Sequence, residues 1–417
     1  IGFGAPTLAG TAKTHGAPLG AEEIEGAREK LDWPHAAFVV PDEILQAWRA
    51  VGAQGGAARG EWERRAAALD SRKKADFDRA IAGDLPPEWE VAVLHVKKTA
   101  SANAPKVATR QSSQTVLEAL TGAIPEMIGG SADLTGSNNT KTGALSPVTA
   151  DDFAGRYVYY GVREHGMAAA MNGLALHGGV IPYGGTFLVF TDYCRPSIRL
   201  SALMGLRVIY VMTHDSIGLG EDGPTHQPIE HIPALRAMPN VLVMRPCDTV
   251  ETAECWSIAV SEKKRPTVLA LTRQGVPTLR MVHTDENLCR KGGYVLQEAD
   301  GARQATIIAT GSEVSLAIEA RAALKEDGIS AAVVSLPCWE LFDVQDNAYK
   351  QQVLGELSTR VAVEAAGTFG WDRYVEGSDC IVGMRSFGAS APATDLFKHF
   401  DITAAAVVRA VKARLQK

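Results

Sequence analysis

The sequence predicts an α/β fold with two three-layer domains, each built on a parallel sheet, preceded by a helical connecting segment. From about residue 101 onward, short apolar segments rich in β-branched residues alternate with helical segments. These strand candidates are apolar at nearly every position, as expected where helices cover both faces of a sheet. Before residue 100 the chain is charged instead, with apolar residues three and four apart. We therefore expect domains at 1–100, 101–280 and 281–417.

The connecting segment comes first, after a strand-like start, IGFGAP, that lacks a Met and that we expect to be internal to a longer protein. Two apolar stripes have helical spacing: Ile44, Leu45, Trp48 and Val51, then Trp62, Ala66 and Leu69. Asp42 and Glu43 lie in a predicted first turn, where acids are favoured. The composition of residues 101–110, SANAPKVATR, predicts a linker.

The strand candidates of the first sheet are EMIGG, RYVYYGV, LRVIYVMTH, NVLVMRP and TVLALTRQ; those of the second are ATIIATG, ISAAVVSLP, TRVAVEAAG and CIVGM. Between them lies an uncharged run, residues 166–191, as long as a membrane span. It contains six glycines and Pro182, so we expect a buried helix–turn–helix and no membrane segment.

Composition narrows the function. A net charge of −6 argues against a nucleic-acid or membrane-surface partner, and an anionic substrate would need local positive charge. The six cysteines, at 194, 247, 255, 289, 338 and 380, have no close pair. This spacing excludes the common zinc motifs and suits reduced thiols in a cytoplasm.

The first candidate site is Arg163–Glu164, a charged pair between a predicted strand and the uncharged run. Strand-to-helix junctions of parallel sheets are where ligands bind, and a carboxylate beside so apolar a segment needs a specific partner. A helix N-terminus that favours a nearby acid through its dipole explains the pair equally well.

The second candidate site is the segment THDSIGLGEDGPTHQPIEH, residues 213–231. It holds six potential metal ligands: His214, Asp215, Glu221, Asp222, His226 and His231. A dinuclear hydrolase is one hypothesis, although the intervening Gly and Pro residues do not give helical zinc spacing. A polar surface loop is another.

Three weaker signals complete the set of candidate functional residues. Phe187, Phe190 and Tyr193 recur every three residues, which usually indicates core packing. The turn GGSADLTGSN, residues 129–138, follows a predicted strand and is by default structural. Arg110 and Arg273 are isolated arginines that would ordinarily be solvated, although an arginine fork suits a phosphate.

These segments also carry a resemblance. GVREHGMAAAMNGLALHGG, TFLVFTDYCR and THDSIGLGEDGPTHQP resemble transketolase, a thiamine diphosphate enzyme that transfers two-carbon ketol units between sugar phosphates. The resemblance covers the whole chain. It implies the tail of the diphosphate-binding domain, a pyrimidine-binding domain of the thiamine diphosphate-binding fold, and a transketolase C-terminal-like domain. It also implies a homodimer whose active site lies between subunits.

The resemblance assigns roles to residues of this sequence. Glu164 would contact the aminopyrimidine ring of the cofactor, with Phe187, Phe190 and Tyr193 as a stacking wall and Asp133 nearby. Glu164, His226 and His15 would be catalytic. The residues that would bind the phosphosugar are His15, Arg110, Ser137, His214, Asp222, His226 and Arg273.

The sequence departs from the family in its metal motif. The family holds the cofactor diphosphate through Mg²⁺ (or Ca²⁺ or Mn²⁺) at a Gly-Asp-Gly motif, and no Gly-Asp-Gly occurs here. We therefore expect the metal ligands outside this segment, and assign none within it. The alternatives are a dihydroxyacetone synthase, the decarboxylating component of a 2-oxoacid dehydrogenase, and an incomplete fragment that needs a separate diphosphate-binding domain.

Overall fold

A computed structural model describes residues 1–356 and 358–416. The chain divides into two compact units, Ile1–Ala75 and Asp76–Lys417. In the first unit, α1 spans Ala21–Lys30 and α2 spans Asp42–Ala67, and neither helix contains a buried residue. The predicted helical segment is therefore confirmed. Helix α3 spans Ser71–Ala82.

The second unit begins with a six-stranded sheet. Its strands and two short flanking strands are β1 Val107–Ala108, β2 Met127–Ser131, β3 Tyr157–Tyr159, β4 Ile181–Phe187, β5 Ile209–Thr213, β6 Leu242–Met244, β7 Thr267–Leu271 and β8 Gly275–Val276. Its helices are α4 Trp89–Asn103, α5 Thr109–Ala123, α6 Thr135–Asn138, α7 Glu164–His177, α8 Thr191–Met204, α9 His231–Arg236 and α10 Thr249–Ser261. The strand order is β3-β2-β4-β5-β7-β6, and every neighbouring pair is parallel.

A five-stranded sheet follows. Its strands are β9 Tyr294–Gln297, β10 Ala305–Ala309, β11 Ala331–Ser335, β12 Thr359–Gly367 and β13 Ile381–Met384, and its helices are α11 Glu313–Glu326, α12 Trp339–Asp343, α13 Asn347–Leu354, α14 Ala393–His399 and α15 Ala404–Leu415. The order is β13-β12-β10-β11-β9, with only the edge strand β9 antiparallel. The prediction of two parallel-sheet α/β domains is confirmed, and β9 is the strand of the second sheet that was not predicted.

The first sheet is covered on both faces, which makes it the middle of three layers. Ile209 and Val211 of β5 pack into one core with residues of α4, α5 and α10. Tyr210 and Met212, which alternate with them, pack into another core with residues of α7 and α8. Period-two alternation sends successive side chains to opposite faces, so both faces of a buried strand are apolar.

The predicted helix–turn–helix over residues 166–191 is wrong, because its second half forms the fully buried strand β4. Glycine is weak in strands by propensity, but here close packing overrides that preference. A Cβ on Gly184 would lie 2.7 Å from Sδ of Met171 and 2.9 Å from Sδ of Met167. The missing side chain lets α7 pack directly on the strand.

Two further differences concern element ends. The predicted strand 156–162 shortens to β3, and the segment 101–110, predicted as a linker, contains the end of α4, β1 and the start of α5. Among the described helices, none combines the length and apolar character needed to cross a membrane.

Candidate active site

The carboxyl ends of the parallel strands place most predicted site residues along one edge of the first sheet. Asp133 follows β2, Glu164 follows β3, Phe187 ends β4, His214 follows β5 and Arg273 follows β7. Ligands of open parallel sheets bind outside this edge. Five residues separated along the chain are thus gathered by strand order alone.

Glu164 is a buried carboxylate without a protein partner. It is the first residue of α7 and only 8% exposed, yet within residues 1–356 and 358–416 it makes no hydrogen bond or ion pair. The pKa of neighbouring Cys194 is raised to about 12, first by burial and then by the Glu164 charge. The carboxylate oxygens, unlike the rest of the residue, remain open to solvent, so they can accept a hydrogen bond from a ligand N–H.

The aromatic residues form a wall. The rings of Phe187 and Phe190 are stacked, with centroids 5.6 Å apart and planes 7° apart, and Tyr193 lies 5.9 Å beyond Phe190. Phe187 is buried, but Tyr193 is 64% exposed. The stripe is therefore not simple core packing, and its outer face is available to a flat ring.

His214 is held against this wall as a neutral imidazole. Its ring stacks on Phe187 at a centroid distance of 3.7 Å. Burial, and then the positive charges of Arg110, Arg273 and His226, lower the pKa of His214 to about 3. The imidazole is therefore uncharged at neutral pH in the ligand-free protein.

A buried hydrogen-bond chain reaches His214. Asn138 lies 2.9 Å from Ser131 Oγ through Oδ1 and 2.7 Å from Thr213 Oγ1 through Nδ2. The Thr213 hydroxyl in turn lies 2.9 Å from His214 Nδ1. Nδ1 is therefore occupied within the protein, which leaves Nε2 for a ligand.

Positive charge collects beside this histidine. Arg110 Nη1 donates to the carbonyl of Ser137 at 2.7 Å, and burial followed by repulsion from Arg273 lowers the pKa of Arg110. Within the described part of the chain, neither arginine pairs with a carboxylate. The ring of His226 lies 5.5 Å from that of Phe190. A dianion would supply the missing counter-charge.

Three predicted residues, Asp133, Asp222 and His15, are exposed. Asp133, at φ +62°, lies at the same sheet edge, but in the described ranges neither its side chain nor that of Asp222 bonds to another site residue. His15 belongs to the first unit, where it follows a 3-10 turn. Their roles stay predictions.

The dinuclear-hydrolase hypothesis finds no ligand set. Asp215 is committed to Arg245, whose Nε donates to it at 2.8 Å. Of the described residues, only Asp192, Glu230 and His231 bring three candidate ligand atoms within 4.8 Å. Only His231 of this group belongs to the six predicted ligands, so the predicted ligand set is not assembled among the described residues.

The sequence did not predict the supporting residues. Asn138 and Thr213 orient His214, but a buried polar chain leaves no pattern in a sequence. The sequence indicates Asp215 only as a potential metal ligand, and no motif points to Arg245. A charged residue directly after an apolar strand, as in LVMRP, was the available signal.

Three family profiles match successive parts of the chain. Family profiles match as "Transketolase, thiamine diphosphate binding domain" over 1–86, "Transketolase, pyrimidine binding domain" over 105–278 and "Transketolase-like TK C-terminal domain" over 292–403. A transketolase of Sinorhizobium medicae is 57% identical over 98% of this chain and 58% of its own length. The chain belongs to the transketolase family.

Solved structures agree. Transketolase from Leishmania mexicana superposes with a TM-score of 0.91 at 43% identity, over 100% of this chain and 61% of that one. A split-gene transketolase, described as an inactive β4 tetramer, superposes with a TM-score of 0.61 at 27% identity, over 74% of this chain and 99% of its own. The chain spans 58–63% of the length of the curated relatives it matches.

Proposed function

We propose that the protein is a transketolase, a transferase that moves a two-carbon ketol unit from xylulose 5-phosphate to an aldose phosphate such as ribose 5-phosphate. The observation that carries the proposal is the unpartnered Glu164 carboxylate on the same sheet edge as an aromatic wall and an unpaired arginine cluster. The first two features suit the aminopyrimidine half of thiamine diphosphate. The third suits a sugar phosphate.

When bound, thiamine diphosphate supplies a nucleophilic thiazolium carbon and an electron sink for cleaving the ketose carbon–carbon bond. The carboxylate of Glu164 would accept a hydrogen bond from the aminopyrimidine and favour its imino form. Phe187 and Phe190 would hold that ring by offset stacking, worth about 0.5–1.5 kcal/mol beyond the buried area.

The remaining residues would act on the sugar. Neutral His214 would form a hydrogen bond through Nε2 to the substrate, and His226, beside the aromatic wall, would exchange protons with the reacting hydroxyls. Arg110 and Arg273 would bind the phosphate, with Ser137 beside them. Arginine suits this task because two parallel N–H donors meet two phosphate oxygens.

We also propose a homodimer. Large apolar side chains remain exposed along α7 and α8: Leu176, Leu200, Leu203 and Met204. Contiguous exposed apolar residues commonly mark protein–protein interfaces. The family resemblance supports a second copy as their partner.

Mg²⁺, a place in the pentose phosphate or Calvin pathway and a cytoplasmic location belong to the same proposal. The six cysteines are all buried thiols, which suits a reducing compartment. The candidate ligand group in the described ranges, Asp192, Glu230 and His231, combines two carboxylates with a histidine. Mg²⁺ prefers convergent oxygen ligands. We therefore assign it no residue and no step here.

The alternatives fare less well. A 2-oxoacid dehydrogenase component has no use for a phosphate-sized cationic cluster, whereas a dihydroxyacetone synthase differs chiefly in its acceptor.

Turnover tests the proposal. The protein is incubated with thiamine diphosphate, Mg²⁺, xylulose 5-phosphate and ribose 5-phosphate, and products are identified by mass. We expect a seven-carbon sugar phosphate that disappears when the cofactor or Glu164 is removed. Product formation in the cofactor's absence would refute the proposal.

A further inference from the structure

The backbone at His214 is held in an unusual conformation. Its φ is +61°, which residues with side chains adopt only when their surroundings enforce it. The next residue, Asp215, is 1% exposed, and its Oδ2 accepts from Arg245 Nε at 2.8 Å. A buried ion pair therefore anchors the residue directly after the histidine.

Arg245 extends this anchor to the second sheet. The arginine is fully buried; its Nη1 donates to the carbonyl of Thr310 at 3.1 Å and pairs with Glu313, the first residue of α11. Glu313 also accepts from the backbone N–H of Ala365 on β12, at 2.9 Å. One guanidinium thus joins the loop after β5 to two elements of the second α/β domain.

Gly311 leaves the space that the Arg245 side chain occupies. A Cβ on Gly311, at φ +55°, would lie 2.8 Å from the Arg245 Cζ, so only glycine leaves room for the side chain. Burial lowers the pKa of Arg245, but Glu313, Asp215 and Glu364 outweigh burial and raise it. The group stays charged and fixed.

We propose that Arg245 is a positioning residue: through Asp215 it holds the His214 imidazole against Phe187, and through Glu313 it makes that position depend on the second α/β domain. The expected loss of ketol-transfer activity rests on the proposed transketolase function. The expected displacement of the His214 ring does not depend on that function.

The test compares two buried arginines. Arg245→Met keeps an unbranched side chain but removes the charge and the fork. Arg236→Met is the matched control, because Arg236 makes two 2.8 Å bonds to Glu364 of the second sheet and has no bond to Asp215. The ¹³C-labelled imidazole signals, with that of His214 assigned by His214→Gln, report ring position without requiring activity.

We expect Arg245→Met to shift the His214 signal and lower kcat/KM for ketol transfer about ten- to a hundredfold, as displacements of about 1 Å can. Arg236→Met should leave the His214 signal in place. Asp215→Asn should reproduce the Arg245→Met shift, and the double variant should add little to either.

Equal His214 signals in Arg245→Met and Arg236→Met would overturn the proposal. If Arg245→Met does not fold, Arg245→Lys and Asp215→Asn are compared with Arg236→Met by the same signals, and an unmoved His214 overturns it there. A wild-type protein without ketol transfer would refute the proposed function, while the imidazole signals would still decide the positioning role.

Discussion

Replacing His214 should make the free energy of unfolding less sensitive to mild acid. The folded protein holds this imidazole neutral, with a pKa lowered to about 3 by burial and by Arg110, Arg273 and His226, whereas an unfolded histidine titrates near 6.5. The unfolded state therefore binds more protons below pH 6.5. The stability contribution is fully present above that pH and is lost as pH falls toward 3.

The magnitude follows from the two pKa values. Between them the free energy of unfolding declines by about 1.4 kcal/mol per pH unit on account of this one group. From pH 7.5 to pH 5 the integrated loss is about 2 kcal/mol. His214→Gln, which cannot protonate, should lack this part of the decline.

The assay is thermal unfolding of wild type and variant at several pH values from 7.5 to 5. Acetate and MES buffers are preferred to phosphate, because an anion near Arg110 would raise the pKa of the histidine. His177→Gln is the control, since His177 is an exposed residue at the end of α7. Its pH profile should parallel that of wild type.

We expect the melting temperature of His214→Gln, measured relative to that of wild type, to rise by about 2–5 °C between pH 7.5 and pH 5. Parallel profiles for all three proteins would refute the reasoning, because the imidazole would then titrate alike in the folded and unfolded states.

Glu164→Gln should lower turnover by about a hundred- to ten-thousandfold while the melting temperature holds or rises, because a buried charge is removed; near-native turnover would contradict its role. Arg273→Ala and Arg110→Ala should each lower kcat/KM for phosphorylated substrates about ten- to a hundredfold, but hardly change turnover of hydroxypyruvate with glycolaldehyde; equal losses on both pairs would assign these arginines to the fold. Glu254→Ala removes the shared carboxylate of two buried cations, so it should destabilise the protein by about 3–5 kcal/mol in urea unfolding, and a change below 1 kcal/mol would contradict that.

The sequence predicted the fold well where a strand is apolar throughout, as in β5, because such segments have one stable place in a parallel sheet. The prediction was wrong at β4, because two consecutive glycines, Gly184 and Gly185, are typical of a turn. Their role in the strand becomes clear only from the packing of α7 on Gly184. Strand β9 was missed because only Tyr294 is buried in it, so it lacks the continuous apolar signal.

Part of the candidate site could be predicted from the sequence and part could not. The resemblance of the segments GVREHGMAAAMNGLALHGG and THDSIGLGEDGPTHQP to transketolase predicts roles for Glu164 and His214. Strand order explains why both residues lie at the same edge of the first sheet. The neutral state of His214 was not predictable, because it depends on burial and on arginines far away in the chain. Arg245 is not predictable for the same reason, because its partners, Asp215 and Glu313, are about one hundred residues apart in sequence.

Isotope transfer tests the central claim most directly. Xylulose 5-phosphate labelled with ¹³C at carbons 1 and 2 is supplied with unlabelled ribose 5-phosphate, thiamine diphosphate and Mg²⁺, and the products are analysed by mass and NMR. We predict a seven-carbon sugar phosphate carrying both labels at its carbons 1 and 2, with an unlabelled three-carbon aldehyde phosphate. Label released as a one-carbon product, or retained in the three-carbon fragment, would contradict ketol transfer.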